Sequence, residues 1–90
     1  MLKRGRCVRK IWFGQSECCG TAVRYYLMAE EAAGIERYGL QIRYGDETEP
    51  VPDITTSQRR IQSLLEILMQ GGVTPATARE VVEDWLNGAE

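Results

Sequence analysis

The sequence predicts an α+β fold, a small antiparallel sheet of about three strands followed by a C-terminal αα-hairpin, in the order β-β-β-α-α. Three observations point there. Apolar and polar residues alternate from Thr21 to Glu31 and again from Arg37 to Tyr44, the period-two pattern of half-buried strands. Glycines and prolines punctuate the chain at short intervals. The last third repeats its apolar residues at i, i+3, i+4 and i+7, the helical period. The 90 residues form a single domain with a thin core. Self-association is one way for so small a domain to gain stability.

Residues 1–20 form a basic arm that includes a first strand over Arg6 to Phe13, where Val8, Ile11, Trp12 and Phe13 are mixed with charges. Gln15 to Gly20 reads as a loop. Residues 21–45 form a β-hairpin. Val23, Tyr25, Leu27 and Ala29 share one face of its first strand, and Arg24, Tyr26, Met28 and Glu30 share the other. Ala32 to Gly34 makes the connection, with glycine supplying the positive φ of a tight reversal. In the second strand Tyr38, Leu40, Ile42 and Tyr44 face one way, Arg37, Gln41 and Arg43 the other, and Gly39 marks a gap or bulge. Residues 46–54 are acidic, are interrupted by Pro50 and Pro52, and read as an exposed loop.

The helix over 55–70 opens on a capping-box pattern, Thr55 with Gln58, and carries Ile61, Leu64, Leu65 and Leu68 until Gly71 ends it. Ile67 lies outside that stripe. The helix over 75–87 has Thr74 as its N-cap and Pro75 first, where a missing N–H costs nothing. Its stripe is Ala78, Val81, Val82, Trp85 and Leu86. The charges oppose the helix dipoles, with Arg59 and Arg60 in the first turn of one and Glu83 and Asp84 in the last turns of the other. Folding the pair back about Gly72 and Val73 sets position 60 level with 85. The arginines would then lie beside the acids and neutralise them.

Charge is unevenly placed. Lys3, Arg4, Arg6, Arg9 and Lys10 put five positive charges in the first ten residues, and the chain from Ile11 onward carries a net of −7. That pattern suggests a basic arm on an acidic body. No apolar run reaches the length of a secretory signal or of a membrane span, so a cytoplasmic protein without membrane contact is expected. Cys7, Cys18 and Cys19, odd in number and two of them adjacent, make a poor disulfide framework and are expected to be reduced. With no histidine, the commonest general base and a common zinc ligand are missing. Glu17 beside the two adjacent cysteines raises rather than lowers a thiol pKa. Neighbouring carboxylates such as Glu30 with Glu31 point apart on a strand and cannot converge on one substrate atom. No enzymatic activity, metal, cofactor or small-molecule ligand is expected.

Two binding classes remain. Two helices joined through Gly71 to Thr74 have the length of a helix-turn-helix. The outward positions of the second, however, include Glu80, Glu83 and Asp84, which would repel phosphates. Nucleic-acid binding would then fall to the basic arm with Trp12 and Phe13 as stacking groups. Protein contacts are the favoured class, because so short a chain cannot cover both sides of its sheet and leaves Tyr26 and Met28 on the open one. The candidate partner-binding residues are therefore Lys3, Arg4, Arg6, Arg9, Lys10, Trp12, Phe13, Tyr26 and Met28, for a protein partner or a second copy.

The order of strand pair, acidic loop, Asp53-Ile54-Thr55-Thr56 helix start and Val-Thr-Pro helix ending in Val81 to Leu86 resembles a family of small uncharacterised domains from Gram-positive anaerobic bacteria. The segment Tyr38 to Ile42 is similar to that family's second strand. The likeness covers roughly Tyr25 to Leu86 and leaves out the first twenty residues with all three cysteines. It implies an uncharacterised role and brings no catalytic residues.

Overall fold

In the computed structural model, the structure describes residues 7–88, Cys7 by its backbone alone. Four strands, β1 (Cys7–Cys18), β2 (Thr21–Ala32), β3 (Ile35–Tyr44) and β4 (Glu47–Thr55), are followed by two helices, α1 (Gln58–Gln70) and α2 (Pro75–Gly88). The strands form an antiparallel meander in the order β1-β2-β3-β4. Both helices lie on one side of it. The sheet thus has four strands rather than about three.

Each reversal is a tight turn. Cys19 and Gly20, at φ 55° and 82°, and Ala33 and Gly34, at 55° and 79°, have both central residues at positive φ, the pattern of a type I′ hairpin. The first of these extends β1 through residues expected to be a loop, because Gln15 to Cys18 pair with Arg24 back to Thr21. β4 is the larger correction. Pro50 and Pro52 are tolerated because β4 is an edge strand, whose outer N–H groups have no ladder to complete.

α1 begins later than the capping pattern suggested. Ser57 is the N-cap, its side chain accepting from the Arg60 N–H, while Thr55 belongs to β4 and accepts from the Ser57 N–H at 3.1 Å. α1 closes with a Schellman motif: Gly72, at φ 63°, donates to the Met69 carbonyl and Val73 to the Leu68 carbonyl. α2 starts at Pro75 as expected.

The core lies between sheet and helices. Val23, Tyr25, Leu27 and Ala29 of β2, Tyr38, Leu40 and Ile42 of β3, and Val51 of β4 meet Ile61, Leu64, Leu65, Leu68, Ala78 and Val82. The helices fold back with position 60 level with 85, as the charge pattern implied. The expected neutralisation does not accompany it: the Arg60 guanidinium instead lies 4.9 Å from the centre of the Trp85 ring. Among the described residues no ion pair joins Arg59 or Arg60 to Glu83 or Asp84. Arg79 instead ties α2 to β4 through Glu49, at 3.0 Å.

Tyr25 links the two layers. Its ring is buried in the core and its hydroxyl donates to the Val73 carbonyl, 2.8 Å away, in the turn between the helices. Burial pushes its pKa up to about 12. Tyr38, bonded to Glu36, and Tyr44, partly desolvated, are also raised. A phenol raised on folding contributes stability that is complete below its unfolded pKa of about 10 and is lost as pH climbs through the folded value. Urea titrations should therefore show a flat stability up to about pH 10 and a steep fall towards pH 12. Tyr25→Phe is expected to cost about 1 kcal/mol at pH 7 and to make that fall shallower.

Candidate interaction surface

The side of the sheet away from the helices is built from alternate positions of its strands. On β2 these are Ala22, Arg24, Tyr26, Met28 and Glu30, since the intervening residues are buried. The register sets Lys10 of β1 against Met28 and Trp12 against Tyr26. On the other flank Gly39 lies against Met28, Gln41 against Tyr26 and Arg43 against Arg24, with Pro50 of β4 beyond Gln41. Trp12 meets Tyr26 edge-on, with ring centroids 5.8 Å apart and planes at 76°. The Lys10 ammonium stands 4.7 Å from the centre of the Tyr26 ring.

Hollows interrupt this face towards both of its ends. Gly39 offers no side chain opposite Met28, and the gap of about 60 Å³ is lined by Val8, Met28, Gly39, Leu40 and both prolines, with Glu30, Arg37 and Asp53 as its polar lining. Arg37 is held there by Asp53, at 2.9 Å. At the other end a polar hollow of about 250 Å³ is lined by Thr21, Ala22, Arg24, Arg43 and Gly45. Arg24 and Arg43 oppose each other in register, and among the described residues neither has an ion-pair partner. Like charges directly across a strand pair repel, so an anion shared between them would relieve a local cost.

Of the residues the sequence singled out, Lys10, Trp12, Tyr26 and Met28 come together on this face. Arg9 does not: it aligns with Ala29, on the helix side, and its guanidinium bonds the Glu36 carboxylate at 2.6 Å. Phe13 is corrected for a different reason. It is the extra residue of a β-bulge between Trp12 and Gly14, and it packs half-buried against the core. Lys3, Arg4 and Arg6 lie outside the described residues. Val8, Pro50 and the Arg24–Arg43 pair were not singled out. The alternation of β2 had placed Arg24 with Tyr26 and that of β3 had placed Arg43 with Gln41, and the register joins the two sets, whereas Pro50 sat in a segment read as loop.

The thiols lie elsewhere. Cys18 is half-buried and Cys19 exposed, both free, with sulfurs 3.9 Å apart. That contact raises the Cys19 pKa, the opposite of what an activated nucleophile needs. Among the described residues no helix is long and apolar enough to cross a membrane.

The model of a family of unknown function, DUF6514, matches residues 9–88. The match takes in all but the first two residues of β1, and both adjacent cysteines, which the sequence resemblance had left out. No curated protein and no solved structure matches the chain.

Proposed function

The chain belongs to a family of unknown function that lends it no activity, and from its own surface we propose that it is a cytoplasmic protein-interaction module of regulatory or adaptor type. Its recognition surface is the uncovered face of the sheet. One observation carries this reading: Val8, Trp12, Tyr26, Met28 and Pro50 share the side that neither helix covers, with Trp12 and Val8 about half exposed at 51% and 55%. Grouped apolar side chains on an exposed face are characteristic of interaction sites. The partner is a protein segment combining apolar with acidic residues. Its carboxylates would meet Lys10, Arg24 and Arg43, basic groups on a chain whose net charge from Ile11 onward is −7. A side chain of the segment would fill the hollow over Gly39.

A second reading rests on the same rings. Trp12 and Tyr26 beside Lys10, Arg24 and Arg43 would also suit a single-stranded nucleic acid, whose bases stack and whose phosphates pair with cations. Peptide-display selection against the full chain separates the two. Peptides rich in Asp or Glu together with Leu, Ile or Phe should be enriched, and their affinity should fall about thirtyfold on Trp12→Ala combined with Tyr26→Ala. Peptides that bind the double variant undiminished, or no enrichment at all, would overturn the protein reading. Salt-sensitive binding of random single-stranded oligonucleotides, lost in Arg24→Glu with Arg43→Glu, would support the second.

A further inference from the structure

The two edges of the sheet are unlike. β4 carries Pro50 and Pro52, which cannot donate to a neighbouring strand, and a kink at Asp53, whose φ is 62°. Such features keep an edge from pairing. β1 is longer, at 12 residues, contains no proline, and presents Val8, Ile11 and Trp12 at 55%, 46% and 51% exposure. Ile11 projects on the helix side and the other two on the uncovered side, so apolar surface flanks this edge both above and below.

The charges along β1 have a direction. Lys10 lies towards its start and Glu17 towards its end. In a straight strand, residues seven apart would point to opposite sides. The bulge at Phe13 removes that mismatch: Lys10 aligns with Met28 and Glu17 with Ala22, both on the uncovered face. A second copy laid antiparallel along β1, with a two-fold axis between Phe13 and Gly14, sets Lys10 opposite the second copy's Glu17 and Glu17 opposite its Lys10. Trp12 then faces Gln15 on the same side, and Ile11 faces Ser16 on the other. Moving the axis by half a residue, onto Phe13, would set Lys10 against Ser16, which points to the opposite face.

We propose that the chain self-associates through β1, forming a two-fold dimer with one continuous eight-stranded sheet and all four helices on the same side. The dimer is built on the strand edge and shares Lys10 and Trp12 with the recognition surface above, but its test reads self-association alone and so fails separately from the peptide selection. Two-fold contacts are self-complementary by construction, and each charge pair here occurs twice.

Sedimentation equilibrium of the full chain tests it with two exposed substitutions. Wild type should dimerise, and Lys10→Glu or Glu17→Lys alone should each weaken dimerisation about tenfold, since each sets like charges opposite one another twice. An equimolar mixture of the two single variants should regain wild-type association, because both charge pairs reform between unlike chains. The double variant should regain it also. Unchanged far-UV circular dichroism in each variant checks that folding is intact. A wild type that stays monomeric to millimolar concentration, single variants that dimerise as wild type does, or a mixture no stronger than its components would each overturn the proposal.

Discussion

Replacing Gly39 with alanine is expected to destabilise the protein by about 3 kcal/mol, measured as a lower urea midpoint with an unchanged slope. The reason is backbone crowding. Tyr38 pairs with Thr55 but Leu40 already pairs with Val51, so three residues of β4, Pro52 to Ile54, stand opposite Gly39 alone. A Cβ there would lie 2.5 Å from the Val51 carbonyl oxygen and 2.7 Å from the Pro52 Cα. Neither atom can rotate aside. Gly14 is the control. A Cβ at that position would meet the Met69 sulfur at 2.6 Å, the end of a flexible side chain. Gly14→Ala should therefore cost less than about 1 kcal/mol, and equal losses at the two sites would show that crowding by β4 is not the cause.

Leu64→Ala should cost as much or more, about 3 to 4 kcal/mol. Leu64 is fully buried at the middle of α1, where it closes the single core between sheet and helices. With one helix layer on one sheet, little surrounding mass can move in to fill the space. The melting temperature should drop by about 15 to 25 °C in calorimetry. Ile67→Ala, on the same helix but 51% exposed, should shift it by only a few degrees. A similar drop in both variants would mean that helix propensity, rather than the cavity, dominates.

The elements that could be read from the sequence were those whose periodicity had one interpretation. Val23 to Ala29 alternate without interruption and their burial follows, and Tyr38 to Ile42 do so save at Gly39, which is buried too. Ile61 to Leu68 can be buried together only on a helix. β4 was hidden because prolines and acids at Glu47 to Asp53 mark loops more often than strands, and only its position at the edge makes them compatible with pairing. The first turn was hidden as well: Cys19 stands at a positive φ more often filled by Asn, Asp or Gly. The α1 cap was ambiguous, since Thr55 and Ser57 both suit an N-cap and the end of β4 decided between them. On the candidate surface, alternation located Tyr26 and Met28, whereas Phe13 was grouped with Trp12 as a stacking residue although neighbours on a strand point to opposite faces. The bulge at Phe13 shifts the facing of the residues after it and so carries Glu17 to the face of Lys10.

Each strand of the meander pairs only with a strand adjacent in sequence, and each connection between strands is two residues long. The sheet can consequently form by zipping outward from three tight turns, without first closing a long loop. Contacts of this local kind belong to chains that fold on the order of milliseconds. The most remote contacts are those the helices make on returning across the sheet, among them Tyr25 with Val73, 48 residues apart. Until that return is complete, the inner side of the sheet is as bare as the outer one. Assembly speed at the last step therefore decides how long Val23, Leu40 and Ile42 remain open to intermolecular association during synthesis.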